Sequence, residues 1–140
     1  MRSGLVMASV LAGALWTASA AAAERPSFQA VMQGLAADMQ RLSQAIFMED
    51  FPAMAEAAEA VADHPKPADQ DRRRVMAAVG PDVERFRAYD HAVHEGAERI
   101  AEAARATDMD GVLRYHAQVM QGCVACHSTF RGRMTQAPAR

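Results

Sequence analysis

Apolar residues recur at alternating steps of three and four along most of this 140-residue chain. Such spacing places them on one face of an α-helix that packs within a bundle. Sustained alternation of apolar and polar residues, the mark of β-strands, is absent. Alanine, methionine, glutamate and arginine dominate, and all of them favour helices. The sequence therefore predicts an all-α protein, whose first stripe is Phe28, Met32, Leu35, Met39, Leu42 and Ile46.

Prolines, glycines and capping residues divide the chain into helices. A first helix is expected to begin at Pro26 and to end near Met48. Asp50 can cap a second one, and the prolines in His64-Pro65-Lys66-Pro67 must end it, because proline disfavours helical geometry. A short helical connector over 69–79, a Gly-Pro break and two further long helices complete the chain. Four amphipathic helices with one longer crossover predict an antiparallel four-helix bundle.

The stripes of the third and fourth long helices contain polar residues. We expect His116 to be a buried, hydrogen-bonded core residue, since buried polar groups are paired. It is eleven residues from His127 on the same helix, roughly 16 Å, so the two cannot share one metal ion. The predicted stripes are Val83, Phe86, Asp90, Val93, Ala97, Ile100 and Ala104 in the third helix, and Leu113, His116, Met120, Cys123, His127 and Phe130 in the fourth.

Asp90 is an acidic residue within an apolar stripe, and a buried carboxylate needs a partner. Either it bonds to His94, one turn further on, or the helix is rotated so that Tyr89 faces inward and Asp90 lies at the edge. His64 and His91 are expected to be exposed to solvent. A metal site built from Asp90, His91 and His94 is a minor alternative, because ligand spacing alone is weak support.

The N-terminus has the pattern of a secretory signal peptide. Arg2 precedes a short apolar stretch, Leu5 to Trp16, and the alanine run 20–23 offers A-x-A cleavage sites. The stretch is too short for a membrane span of about 20 residues. We therefore expect residues 1–23 to be removed and residues 24–140 to form one periplasmic domain with no membrane attachment. Without Arg2 the net charge is near −3, which argues against nucleic-acid binding.

The sequence Cys123-Val124-Ala125-Cys126-His127 contains the only two cysteines. Two thiols at this spacing can form thioethers to haem, and the adjacent histidine can bind the iron. A zinc site needs about four ligands, and no second ligand pair is present. A thioredoxin-like site needs a βαβ context, for which strand signals are lacking. The motif therefore predicts one covalently bound haem c, attached on one helical face at positions i, i+3 and i+4.

The motif is followed by Ser128-Thr129-Phe130-Arg131 near the C-terminus. In this the chain resembles the class II cytochromes c, the cytochrome c′ family and its low-spin relatives, whereas class I cytochromes carry the motif near the N-terminus. The resemblance implies a haem near one end of the bundle, and an antiparallel homodimer is compatible with it. It also places Arg131 close to the proximal His127; the alternative is a solvated arginine at a helix end.

The resemblance leaves two states for the sixth iron position. In one, a methionine from early helix one binds the iron and the protein is an electron carrier. Met39-Gln40-Arg41-Leu42 matches a pattern that lies seven residues after that position, so Met32 aligns with the ligand. Met39 as ligand, or both methionines as core filler, are the alternatives.

In the other state the iron is five-coordinate and binds nitric oxide or carbon monoxide. We expect the first state, a non-enzymatic carrier with His127 and Met32 as axial ligands. It would exchange electrons with redox partner proteins that the sequence does not identify.

Overall fold

The computed structural model describes residues 25–136, so the predicted signal peptide lies outside the described residues. The described part is mostly helical and contains no strand. None of its helices is long and apolar enough to cross a membrane. The helices are α1 (Phe28–Phe47), α2 (Phe51–Ala62), α3 (Asp69–Val79), α4 (Val83–Arg105), α5 (Met109–Cys126) and α6 (Gly132–Gln136), with a 3₁₀ turn at Gly80–Asp82 and a π-helical segment at His127–Arg131.

Four of these helices, α1, α2, α4 and α5, form the bundle. Helix α1 packs on α2, α2 packs on α4, and α4 packs on α5. Three-residue turns join α1 to α2 and α4 to α5, and such short connections make the joined helices antiparallel neighbours. The longer crossover from α2 to α4 contains α3, as predicted. The expected all-α four-helix bundle is confirmed.

Side-chain caps fix where the bundle helices begin. Asp50 accepts a hydrogen bond from the Ala53 N–H (3.1 Å) and Asp108 accepts one from the Gly111 N–H (2.9 Å). The cap by Asp50 was predicted. Helix α1 starts at Phe28 rather than at Pro26, because the Ser27 hydroxyl caps it instead. Each cap satisfies a backbone donor that has no partner within its own helix.

The main core fills most of the bundle. Gly96 on α4 lies against α5 so closely that a Cβ there would be 2.7 Å from Val119 Cγ2. Small residues on facing helices therefore allow the close approach of α4 and α5. The buried residues of the main core are Leu42, Ala45, Met54, Ala55, Ala57, Ala58, Ile100, Ala101, Ala103, Ala104, Val112 and Val119.

A second cluster, the aromatic end, lies where α1 begins and α5 ends. Its buried residues are Val75, Val79 and Phe130. The ring of Tyr89 packs edge-on against Phe130 with centroids 6.3 Å apart, while the Asp90 side chain is 58% exposed. The alternative with Tyr89 inward and Asp90 at the edge is therefore confirmed. The half-buried residues of the aromatic end are Phe28, Met76, Val83, Phe86, Tyr89, Cys126 and Met134.

The predicted stripe of α5 is wrong in part. Val112 and Val119 are fully buried against the main core, whereas Leu113 is 48% and Met120 44% exposed. In this part of the helix the predicted stripe lies one residue after the buried positions, which corresponds to a rotation of about 100° around the helix. Helix α5 thus has two apolar faces, and α4 covers only one of them.

Candidate haem site

Cys123 and Cys126 lie one turn apart in the last part of α5, and both are free, half-buried thiols. Cys123 packs against the main core and Cys126 against the aromatic end. The motif therefore lies at the junction of the two clusters, with both sulfurs reachable from the same side of the helix.

Burial raises the pKa of both thiols. At Cys126 the negative charge of Asp90 and the neighbouring Cys123 raise the pKa further. Both groups therefore stay protonated at neutral pH. A thiolate is the form that attacks disulfides and binds zinc, so this environment does not favour the redox-pair or zinc alternatives.

His127 opens the π-helical segment, and its side chain is exposed. Among the residues that the structure describes, none forms a hydrogen bond with its imidazole ring. Met120 and Val124, 44% and 58% exposed, lie on the same face of α5 as His127. An exposed apolar strip next to two free thiols and an available imidazole is a surface that an apolar macrocycle would cover. The residues present fit a covalently attached haem.

The two candidate methionines of α1 differ in their surroundings. Both are half-buried. Met39 packs against the main core, whereas Met32 packs against neither of the two clusters that the described residues form. Phe28, one turn before Met32, belongs to the aromatic end together with Cys126. The start of α1 therefore lies at the same end of the bundle as the motif.

Arg131 is exposed, whereas Arg133, two residues further on, has several contacts at this end. Its guanidinium lies 4.7 Å from the centroid of the Phe130 ring and pairs with Asp82 at 3.1 Å. It also donates to the Val79 carbonyl oxygen (3.1 Å). Sequence analysis missed Arg133, because its hydrogen-bond partners, Val79 and Asp82, lie more than 50 residues away in the chain.

His116 is half-buried on the side of α5 that faces α1, not fully buried as expected. Its Nε2 lies 3.4 Å from the Ser43 Oγ of α1. Since the Ser43 hydroxyl donates to the Met39 carbonyl oxygen (2.9 Å), Nε2 must be the donor in this contact. Burial lowers the pKa of His116. The residue thus links α1 to α5 in its neutral form.

A helical bundle with paired thiols and an adjacent histidine at the end of its last long helix defines a c-type cytochrome. A family model described as cytochrome c′ matches residues 29–131. The chain therefore belongs to the cytochrome c′ family, whose cofactor is a covalently attached haem c. Comparisons with curated proteins and with solved structures gave no significant match.

Proposed function

We propose that this cytochrome is an electron carrier whose haem iron has His127 and Met32 as axial ligands. The two thiols, Cys123 and Cys126, attach the haem to α5. The bound haem supplies a one-electron iron couple, and the chain holds it and sets its potential. A thioether ligand raises that potential. The protein has no substrate in the enzymatic sense.

The observation that supports this proposal is the difference between Met32 and Met39. A methionine that only fills space is expected to pack within a core, as Met39 does. Met32 is half-buried, outside both clusters of the described residues, at the end of α1 where the motif lies. Its thioether is therefore available for a ligand role, and its position in the chain matches the one that the resemblance assigns to the distal ligand.

Arg131 is proposed, as the resemblance implies, to lie near the proximal His127 and to modulate the iron's surroundings. Residues 1–23 are proposed to export the chain to the periplasm before cleavage. There it would exchange electrons with redox partner proteins, and the resemblance is compatible with a homodimer. Comparing the N-terminal sequence of the periplasmic protein with position 24 tests the export proposal directly.

The competing function is that of a five-coordinate cytochrome c′ that binds nitric oxide or carbon monoxide. Optical spectra of the purified, haem-loaded protein, oxidised and reduced, with and without carbon monoxide, separate the two. We expect a low-spin spectrum that carbon monoxide leaves unchanged, because a bound thioether occupies the sixth position. A high-spin spectrum that shifts with carbon monoxide contradicts Met32 ligation and supports gas binding.

Matched substitutions test the ligand itself. Met32→Leu and Met39→Leu each remove one sulfur and nearly conserve volume, which costs less than about 1.5 kcal/mol in a core. We expect Met32→Leu to become high-spin and to bind carbon monoxide, while Met39→Leu keeps the native spectrum. The reverse result would show that the assignment on α1 is wrong by two helical turns. Native spectra in both variants would exclude each methionine as ligand.

A further inference from the structure

We propose that His64, Asp90 and His94 form a binding site for one divalent cation of the zinc class, separate from the haem ligands. One ligand atom from each residue lies within 4.8 Å of the other two. His64 follows α2, and the other two residues are one turn apart on α4. The expectation that His64 is solvent-exposed is therefore wrong: it is half-buried, with its ring 4.9 Å from that of His94.

The hydrogen bonds of the two rings leave the same nitrogen free on each. His94 Nδ1 is 2.7 Å from the Ala62 carbonyl oxygen, and His64 Nδ1 is 3.2 Å from that of Pro65. Because a carbonyl oxygen only accepts, each Nδ1 carries the hydrogen and each Nε2 keeps its lone pair. Histidines that bind metals commonly have the second nitrogen held by a carbonyl in this way.

Asp90 adds a third acceptor to the two imidazoles. Its Oδ1 lies 3.9 Å from His94 Nε2, which is too far for a hydrogen bond. The expected Asp90–His94 hydrogen bond is therefore wrong. Two imidazoles and a carboxylate that converge, with no hydrogen bond between His94 Nε2 and Asp90, are the arrangement that a cation satisfies.

The donor set indicates which cation fits. Two imidazoles and one carboxylate suit zinc and neighbouring divalent transition metals, while magnesium and calcium prefer oxygen ligands. Ligands around a tetrahedral zinc ion lie about 3.3 Å apart, so small side-chain rotations close the site. Pro65 restricts the backbone of His64, and the exposed fractions of Asp90 (58%) and His94 (34%) leave a path for the ion and for water as a further ligand.

The same helix provides a matched control. His91 and Glu95 are also spaced i, i+4, with His91 Nδ1 3.6 Å from Glu95 Oε2. Both are exposed, and no third ligand group joins them among the described residues. If an exposed histidine–carboxylate pair were enough to bind the ion, the two pairs would bind alike. The proposal requires that only the Asp90–His94 pair, which lies next to His64, binds the ion.

Calorimetric titration of the purified, haem-loaded protein with zinc chloride at pH 7.5 tests the site, with magnesium chloride for comparison. We expect one zinc ion per chain and no response to magnesium. His64→Ala and Asp90→Asn should each weaken zinc binding at least tenfold, and His91→Ala should leave it unchanged. Zinc should also raise the Tm of the native chain and of His91→Ala, but not that of His64→Ala, since the ion joins the segment after α2 to α4.

Two results would overturn the proposal. One is the absence of zinc binding to the native protein at millimolar zinc. The other is zinc binding that falls less than threefold in His64→Ala, or that falls as much in His91→Ala as in His64→Ala. Either form of the second result would show that zinc binding does not depend specifically on His64.

Discussion

The main core and the aromatic end are built in different ways. In the main core, alanines, glycine and branched aliphatic residues bring the helices close together, and its members are almost completely buried. Among the described residues of the aromatic end, three are buried, and half-buried rings and a half-buried thiol surround them. The protein's own side chains fill the main core. We infer that the aromatic end is completed when haem covers the apolar strip beside the motif.

The two regions also differ in what holds them. Short turns and local caps fix the main core. The aromatic end depends on contacts between distant parts of the chain: the Asp71 carboxylate accepts from the Phe28 N–H (2.9 Å), and the Ala68 N–H donates to the Pro26 carbonyl oxygen (2.9 Å). Together with the Arg133–Asp82 pair, these contacts tie α1, α3 and the C-terminal segment into one unit.

Truncating one large residue in each region should give the largest effect and separate their roles. Phe130→Ala removes a buried ring that packs edge-on against Phe86 (5.5 Å between centroids), and we expect a loss of about 3–5 kcal/mol. Ile100→Ala in the main core should cost about 2–5 kcal/mol. Urea unfolding measures both losses.

The haem spectrum then distinguishes these two variants. Phe130 lies three residues after the proposed ligand His127, so Phe130→Ala should alter the spectrum while Ile100→Ala leaves it native. A changed spectrum in Ile100→Ala alone would place the haem away from the aromatic end.

A smaller effect is expected from adding one methyl group to the main core. Gly96→Ala brings its Cβ within 2.7 Å of Val119 Cγ2, and because valine is stiff in a helix we expect a loss of about 1–3 kcal/mol. Gly34→Ala meets nothing within 4 Å and should stabilise by about 0.5–1 kcal/mol through helix propensity. Thermal unfolding of the two variants checks this. Equal Tm shifts would mean that α4 and α5 are not closely packed.

The smallest expected effect is the pH dependence from His116. Its pKa is lowered by burial in the folded protein, so the unfolded chain binds the proton more readily. Stability should therefore fall as the pH drops below the unfolded value of about 6.5. His116→Gln can still donate to Ser43 but does not titrate, so its urea midpoint should fall less between pH 7.5 and pH 5. If the urea midpoints of the native protein and of His116→Gln fell equally with pH, this would contradict a lowered pKa of His116.

Much of the fold could be predicted because its signals are local. Asp50 and Asp108 cap helices through bonds within four residues, and the prolines after His64 end α2 by their own geometry. The connector at Asp69–Val79 was predicted with its observed bounds. Periodicity also predicted three of the six buried positions of α4, namely Ala97, Ile100 and Ala104.

The errors have a different origin. Helix α5 has apolar residues on two faces, and periodicity cannot tell the face that meets a helix from the one that we propose meets a cofactor; hence Leu113 and Met120 were placed inward. The positions of His64 and Arg133 depend on partners 26 or more residues away. Contacts between such distant residues form only when the helices pack into the bundle.

The shared packing of the two chain ends has a practical consequence. Phe28, near the start of the described chain, and Met134, near its end, both pack against the aromatic end. A protein fixed to an electrode through a described residue at either end, such as Arg25 or Gln136, would therefore present its motif to the electrode surface. Fixing it through residue 107, in the turn between α4 and α5 at the opposite end, would hold the motif one bundle length away. The antiparallel arrangement therefore sets two different distances between the electrode and the motif. Comparing the electron-transfer rates of the two orientations would measure how the rate depends on that distance.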